Sequence, residues 1–234
     1  MCNYSCFMWI GDEKIMNHNY DDVAEKWNEV FKSSDQDVPQ GPLIGVEVFD
    51  KGLSWCCSGA DTVLDFGCGS GTMLFLCALN GVKHNIGIDL SSEAVRKAEL
   101  KKGSIRNADF KFIAGGVEKL ESIESASMDA VILSNTIDNL YPEDAEILME
   151  HVYRIIKSKG RVFVKLNPFI TEEDIEKYEM KKADGYLLDD GLPLWNNTNE
   201  QWSSFFEKRF NIYKYDEIIY KQYNLCNRLY LLEK

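Results

Sequence analysis

Three glycines at alternate positions, Gly67, Gly69 and Gly71, lie between an acid at Asp65 and an apolar run that starts at Met73, and a second acid follows at Asp89. These residue types at these spacings suit the holding of a ligand. Glycine lets the backbone turn tightly and come close to a bound molecule, and a carboxylate just before such a turn attracts a cationic group and repels a pyrophosphate. The dinucleotide fingerprint G-x-G-x-x-G is not met, because position 72 is Thr and the third glycine falls at 71. The spacing argues against NAD. Asp89 ends the stretch Asn85-Ile86-Gly87-Ile88-Asp89 and is suited to accept hydrogen bonds from a ribose diol. Together the acids and glycines outline a nucleoside ligand that is cationic near Asp65.

The elements that must position these residues follow from periodicity. Val63 and Leu64 form a short apolar strand, and Met73, Leu74, Phe75, Leu76, Cys77, Ala78 and Leu79 are dense enough for a helix buried on most sides. A second strand ends at Asp89. Residues 91–107 read as a helix with Ser at its start and Lys and Arg toward its end, followed by a strand over 110–113. Met128-Asp129-Ala130-Val131-Ile132-Leu133-Ser134-Asn135 reads as a further strand, and Lys157-Ser158-Lys159-Gly160 as the turn into Arg161-Val162-Phe163-Val164. Residues 210–220 and 223–232 alternate well enough for two strands of an antiparallel hairpin, with their aromatics read as core.

DFGCGSG followed by IGIDLS resembles the first two motifs of class I S-adenosylmethionine-dependent methyltransferases, and the elements over residues 60–166 follow the order of that family. The resemblance implies an α/β fold: a doubly wound, seven-stranded, mostly parallel sheet with an antiparallel C-terminal hairpin and helices on both faces. It implies one domain, with residues 1–58 as an N-terminal helical lid and linker and 59–234 as the core. Within that core, 167–205 is expected to be an insertion covering the acceptor pocket. The cofactor implied is S-adenosyl-L-methionine. Asp65 would balance its methionyl ammonium, the turn of Gly67, Cys68, Gly69 and Gly71 would hold its carboxylate end, and Asp89 with Leu90 would hold the ribose. Ser134 and Asn135, at the end of the fourth strand, complete the expected cofactor wall. Members of the family often carry Gly-Asp after the third strand, the acid receiving the adenine amino group, whereas this chain has Gly115-Gly116. Gly116 and the backbone of Val117 then remain for the ring, and Glu118 is the candidate to reach the amino group.

Loops at the C-terminal ends of strands line the ligand crevice of open α/β sheets. If the acceptor carries a proton that must leave early, a general base is needed, and Asp138 is the first choice, with Asn139 and Tyr141 as positioning groups. Asp138-Asn139 also suits a turn, and Tyr141-Pro142 a helix entrance. His151 falls in mid-helix and is set aside. Asn167-Pro168-Phe169 has the look of the amino-methyltransferase motif of DNA-modifying enzymes, but it follows the fifth strand instead of the fourth, and that match is rejected.

Residues 21–31 read as an amphipathic helix carrying Val23, Trp27, Val30 and Phe31, with Trp27 and Phe31 as core; the resemblance implies that such a helix folds over the cofactor pocket, with Tyr20 able to line it. Residues 35–42 read as a polar linker and 43–57 as a second helical pattern. A charged helix is expected from Thr171 to about Lys182. Residues 185–199 are expected to be irregular, with Trp195 facing substrate or anchoring the loop.

The 234 residues suit a single domain with a sizeable core. A net charge of −12 argues against generic binding to nucleic acid or an anionic membrane. The cluster Lys97, Lys101, Lys102 and Arg106 reads as a solvated helix face. Seven cysteines, Cys2, Cys6, Cys56, Cys57, Cys68, Cys77 and Cys226, form neither a C-x-x-C pair nor a metal-ligand grouping with the three histidines, so reduced thiols and no metal are expected. Phe7 to Ile10 is too short for a secretory core and lacks a basic lead, which points to a cytoplasmic location and makes the Asn3 and Asn196 glycosylation triplets irrelevant. The expected function is methyl transfer to a small-molecule acceptor. A protein or tRNA methyltransferase, or a non-catalytic nucleoside-binding protein of the same fold, are the alternatives. Composition leaves the oligomeric state open.

Overall fold

The computed structural model describes residues 18–34, 37–223 and 225–234. Cys2, Cys6, the Asn3 triplet, the apolar run from Phe7 to Ile10 and part of the 35–42 linker lie outside the described residues. The chain runs α1 (Asp21–Ser33), α2 (Glu47–Cys57), β1 (Thr62–Phe66), α3 (Thr72–Leu79), β2 (His84–Asp89), α4 (Ser92–Lys101), β3 (Asp109–Ala114), β4 (Met128–Ser134), α5 (Pro142–Ile155) and β5 (Ile156–Leu166). After β5 come α6 (Glu172–Lys177), β6 (Lys181–Ala183), β7 (Tyr186–Asp189), β8 (Leu192–Leu194), α7 (Asn199–Glu207), β9 (Asn211–Tyr220) and β10 (Leu225–Glu233).

Seven strands form one sheet in the order β3-β2-β1-β4-β5-β10-β9. β1 to β5 are parallel, and β10 runs against both β5 and β9, so the expected C-terminal hairpin closes the sheet. Side chains of a strand alternate between faces, and here each face buries its own set. Val63, Ile132, Phe163 and Leu231 pack with α2 and α3 residues such as Leu53, Cys56, Leu74 and Phe75. Leu64, Leu133, Val164 and Tyr230 pack on the other side with α5 and α7, around Leu148, Val152, Trp202 and Phe206. Helices therefore cover both faces. Of the hairpin aromatics, Tyr230 is fully buried, while Tyr213 on the edge strand β9 is exposed.

Several elements differ from the sequence expectation: residues 157–160, read as a turn, lie within β5 where its register shifts against β4, and α2 begins at Glu47 instead of at residue 43. The helix predicted over 91–107 is α4, which stops at Lys101 and tightens into a 3-10 turn at Lys102–Ser104, where Gly103 weakens helix continuation. Its N-cap is Ser91, whose Oγ accepts from Ala94 N at 3.0 Å. The helix predicted from Thr171 to Lys182 has its capping box at Thr171 and Asp174 but ends at Lys177, and Glu179 follows in the left-handed region at φ 52°. Lys181 begins a strand instead. Residues 185–199 are largely regular: β6, β7 and β8 form an antiparallel three-stranded meander. Its second turn is Asp190-Gly191, both at positive φ (46° and 79°), the conformation a two-residue hairpin demands.

Among the described residues no helix is long and apolar enough to cross a membrane, and no group of three or more His, Cys, Asp or Glu is placed to hold a metal ion. Cys56, Cys57, Cys68 and Cys77 are buried free thiols, and Cys226 is a half-buried one.

Candidate functional site

The carboxyl ends of β4, β1, β2 and β3 form the floor of one cavity, in that spatial order. Its walls are Ser134, Asn135, Thr136, Asn139 and Leu140 after β4; Phe66, Gly67 and Gly69 at β1; Ile88, Asp89 and Leu90 at β2; and Gly115, Gly116 and Val117 after β3. Tyr20, Val23, Trp27 and Phe31 roof it. Tyr20 precedes α1, and the other three share one face of that helix, so the stripe read as core from its period covers a ligand space instead. Acids at Asp21 and Asp22 and a base at Lys32 complement the α1 dipole.

The glycine turn is pinned from below. Gly67 N and Cys68 N both donate to Ile88 O, at 2.8 and 3.1 Å. Gly67 adopts φ 77°, and a Cβ there would run into the Thr136 side chain; Gly69, at φ 52°, would put a Cβ 3.1 Å from the Phe31 ring. Backbone thus lies where no side chain fits. Gly71 caps α3 at φ 89° without a side-chain partner, which leaves the first N–H groups of α3 to favour an anionic group.

Asp89 is the acid of the cavity wall. Its Oδ2 accepts from Gly69 N at 2.7 Å and its Oδ1 from Ser91 N at 2.8 Å, so it ties the glycine turn to the α4 cap and keeps one further lone pair on each oxygen. Burial raises its pKa, against the lowering effect of those two bonds. Asp65 sits deeper: it is fully buried, outside the cavity wall, and neither carboxylate oxygen has a partner among the described residues. Burial, reinforced by the nearby Asp89 charge, pushes its pKa well above the carboxylate range. An orphaned carboxylate beneath the turn is one that an incoming ammonium would complete, and in this respect the residues fit a ligand with a cationic amino-acid end. Cys68 is likewise buried, its thiol pushed up first by burial and then by the Asp89 and Asp65 charges. It packs under the turn and stays protonated.

Beyond β4 the chain builds a polar knot. Asn135 is left-handed at φ 54°. Its Nδ2 donates to Asn167 Oδ1 (2.6 Å), Asn167 Nδ2 donates to Asn139 Oδ1 (3.3 Å), and Asn139 Nδ2 donates to Asn135 O (2.7 Å). Asp138 lies behind this ring, fully buried, with Oδ2 accepting from Asn167 N at 2.6 Å and Oδ1 unpartnered among the described residues. Burial pushes it up to about 6, opposed by the Asn167 N–H and the Arg228 charge. Asp138 therefore holds Asn167 and does not face the cavity. Tyr141 also lies outside the wall; its ring stacks on His18 (centroids 3.9 Å) and meets Tyr20 and Tyr186 edge-on at 5.5 and 5.0 Å.

Tyr20 links roof to floor. Its hydroxyl donates to Asp144 Oδ2 at 3.0 Å and accepts from Tyr141 N at 3.3 Å, while His18 Nδ1 lies 3.0 Å from the same Asp144 oxygen. Burial and then the Asp144 charge raise the Tyr20 pKa, so it remains a neutral donor. Farther along α1, Asn28 Oδ1 accepts from Ser91 Oγ (2.8 Å) and Glu93 N (3.1 Å), and Lys26 pairs with Asp190 of the β7–β8 turn at 3.1 Å.

Of the residues anticipated from sequence, Tyr20, Gly67, Gly69, Asp89, Leu90, Gly116, Val117, Ser134, Asn135 and Asn139 meet in this cavity. Asp65, Cys68, Gly71, Asp138 and Tyr141 support it from outside. Glu118 turns back on its own backbone, its Oε1 accepting from Gly116 N at 3.0 Å with Lys119 Nζ 3.5 Å away. Trp195 packs on Trp202 and Phe205, with centroids at 4.8 and 5.0 Å, and its N donates to Asp138 O at 2.7 Å. Trp27 and Phe31, which line the cavity, and Asn167, which braces Asn135 and Asn139 from behind, were not expected there from the sequence. The i, i+3, i+7, i+11 spacing from Tyr20 puts the first two on one apolar face with Tyr20 and Val23 but does not say whether that face meets core or cavity.

Residues 58–208 match the family described as a methyltransferase domain. The chain is similar to the tRNA N(3)-methylcytidine methyltransferase of Schizosaccharomyces pombe, 27% identical over 165 residues covering 66% of this chain and 53% of that protein. It is also 30% identical over 178 residues to the ribosomal protein L11 methyltransferase of Staphylococcus carnosus, covering 71% of this chain and 54% of the relative. The chain thus spans about half the length of these curated relatives. Among solved structures it shares its fold with the 1,6-didemethyltoxoflavin-N1-methyltransferase of Burkholderia thailandensis bound to its acceptor and S-adenosylhomocysteine, with a TM-score of 0.64 and 14% identity over 95% of this chain and 93% of that one.

Proposed function

The chain belongs to the methyltransferase domain family, of the class I S-adenosylmethionine-dependent kind, and from that premise we propose that it transfers the methyl group of S-adenosylmethionine to a small-molecule acceptor. The bound cofactor supplies an electrophilic methyl carbon on a sulfonium. The protein contributes binding and alignment: Asp65 balances the ammonium, the Gly67 to Gly71 turn and the start of α3 receive the carboxylate, and Asp89 takes the ribose hydroxyls. Asn135 and Asn139, braced by Asn167 and Asp138, orient the acceptor beside the roof residue Tyr20. The β6–β8 meander, through Tyr186 against Tyr141, walls the approach.

The observation that carries the small-molecule reading is a roof over part of a half-open cavity. Tyr20, Val23, Trp27 and Phe31 cover the floor from above, and Tyr20 is tied down through Asp144. A net charge of −12 opposes docking of a phosphate backbone. The reduced thiols fit a cytoplasmic site of action. The likeness to relatives named for tRNA and ribosomal protein favours the second reading, a macromolecular acceptor. Incubation with methyl-labelled cofactor and, separately, a metabolite extract, bulk tRNA and ribosomal protein decides between them. Label confined to the macromolecular arms would overturn the small-molecule reading, and absence of S-adenosylhomocysteine binding by calorimetry would overturn the pocket itself.

A further inference from the structure

The floor order β4-β1-β2-β3 constrains which part of a ligand meets which wall. On the proposed reading, on which this inference rests, a ligand whose charged end meets the glycine turn and whose ribose meets Asp89 must extend its base to the end of β3. The wall there is Leu90, Gly115, Gly116 and Val117, and none of these side chains can accept a hydrogen bond. The nearest acids point elsewhere. Glu118 is turned to Gly116 N and Lys119, and Asp89, with one N–H on each oxygen, has its remaining lone pairs assigned to the ribose on the proposed reading. The polar side chains of the cavity, apart from Asp89, belong to the β4 side and the roof. What remains for a base is main chain, in particular the N–H of Val117, which opens its 3-10 turn and so has no carbonyl partner within it. That donor reads a ring nitrogen. Among the described residues no side chain on this wall receives an exocyclic amino group, which leaves it only neutral main-chain carbonyls.

We infer that no carboxylate of this site reads the 6-amino group of its purine, and that it takes purine-nucleoside thioethers lacking N–H at position 6 to within a few-fold of the adenosyl form. A hydrogen bond from an amino group to a carboxylate contributes roughly 10- to 150-fold in affinity, so the absence of one is measurable. Gly116 is the position to restore it: its backbone is extended (φ −103°, ψ −151°) and accepts any side chain.

The test is calorimetric, with no acceptor and no turnover. Affinities are measured for S-adenosylhomocysteine and for its 6-deamino analogue, which keeps N1 as an acceptor and lacks only the amino group, on the wild-type protein, Glu118→Gln and Gly116→Asp. The expected result is a wild-type ratio within about threefold, unchanged in Glu118→Gln, because no more than a weak neutral contact is at stake. Gly116→Asp, checked by melting for a retained fold, is expected to prefer the adenosyl form by about tenfold or more. A wild-type preference above tenfold overturns the inference, and its disappearance in Glu118→Gln would identify Glu118 as the reader. Failure of both ligands to bind would refute instead the pocket reading on which the inference stands.

Discussion

Replacing Asp65 by Asn is expected to make the unliganded protein more stable and its cofactor binding weaker. Both carboxylate oxygens are buried without a partner among the described residues; an amide there is equally unpaired but never carries charge, and avoiding that charge is worth on the order of 1–3 kcal/mol near neutral pH. For a chain of this length about 1 kcal/mol moves the melting temperature by roughly 2–4 °C, so the Asn variant is expected to melt roughly 2–12 °C higher near neutral pH. The sign with pH follows from the raised pKa. In the folded empty protein Asp65 holds its proton at pH values where the unfolded chain has lost it. Its drag on stability is therefore absent below the unfolded carboxylate value, near 4, and grows as pH rises toward the folded value. The Asn variant lacks that slope. An arriving ammonium reverses the preference for the proton, so binding of S-adenosylhomocysteine should release protons in the wild type and none from this site in the variant. Loss of the charge-assisted bond should weaken binding by roughly 10- to 150-fold. Thermal melts across pH, with calorimetry in two buffers of different ionisation enthalpy, measure all of this. A variant that melts lower than the wild type and binds equally well would refute the reasoning, because Asp65 would then be holding the turn and not waiting for a cation.

Tyr20→Phe removes the hydroxyl that joins the roof to Asp144 and Tyr141 N; the release of S-adenosylhomocysteine, followed by Trp27 fluorescence in stopped flow, is expected to quicken roughly 2- to 10-fold. Gly67→Ala forces a side chain into Thr136 at φ 77° and is expected to cost about 1–3 kcal/mol in urea unfolding together with a large loss of cofactor affinity. Trp195→Ala should cost about 3 kcal/mol of stability through its packing on Trp202 and Phe205 while leaving S-adenosylhomocysteine affinity within twofold; an affinity loss above tenfold in a folded variant would contradict the placement.

Much of the floor was legible because its signals are local. The turn at Gly67 to Gly71 and the acid ending β2 are written in adjacent residues, and strand alternation reports burial one residue at a time. The Asp190-Gly191 hairpin turn was equally local and was overlooked beside the charged run before it. Other features had no local signal. Periodicity marks Val23, Trp27 and Phe31 as one apolar face, but an apolar face reads the same whether it meets core or ligand. Asn167 stands in a motif at the wrong strand, and only the parallel pairing of β4 with β5 brings it to Asn135 and Asn139. Glu118 has the right type and spacing for a purine acceptor, yet its carboxylate reaches its own backbone first.

From the chain alone came the residues that line the glycine-turn side of the cavity and the succession of strands and helices, since backbone freedom, capping and hydrophobic period act over a few residues. The environment of each acid came from contacts far apart in sequence. Tyr20 meets Asp144 across 124 positions, and Asn28 meets Ser91 across 63. Asp65, Asp89 and Asp138 are one residue type in three settings: sealed without a partner, bonded to two N–H groups, and braced against Asn167. Solvation and partners determine what a carboxylate does, and both exist only once the sheet has closed.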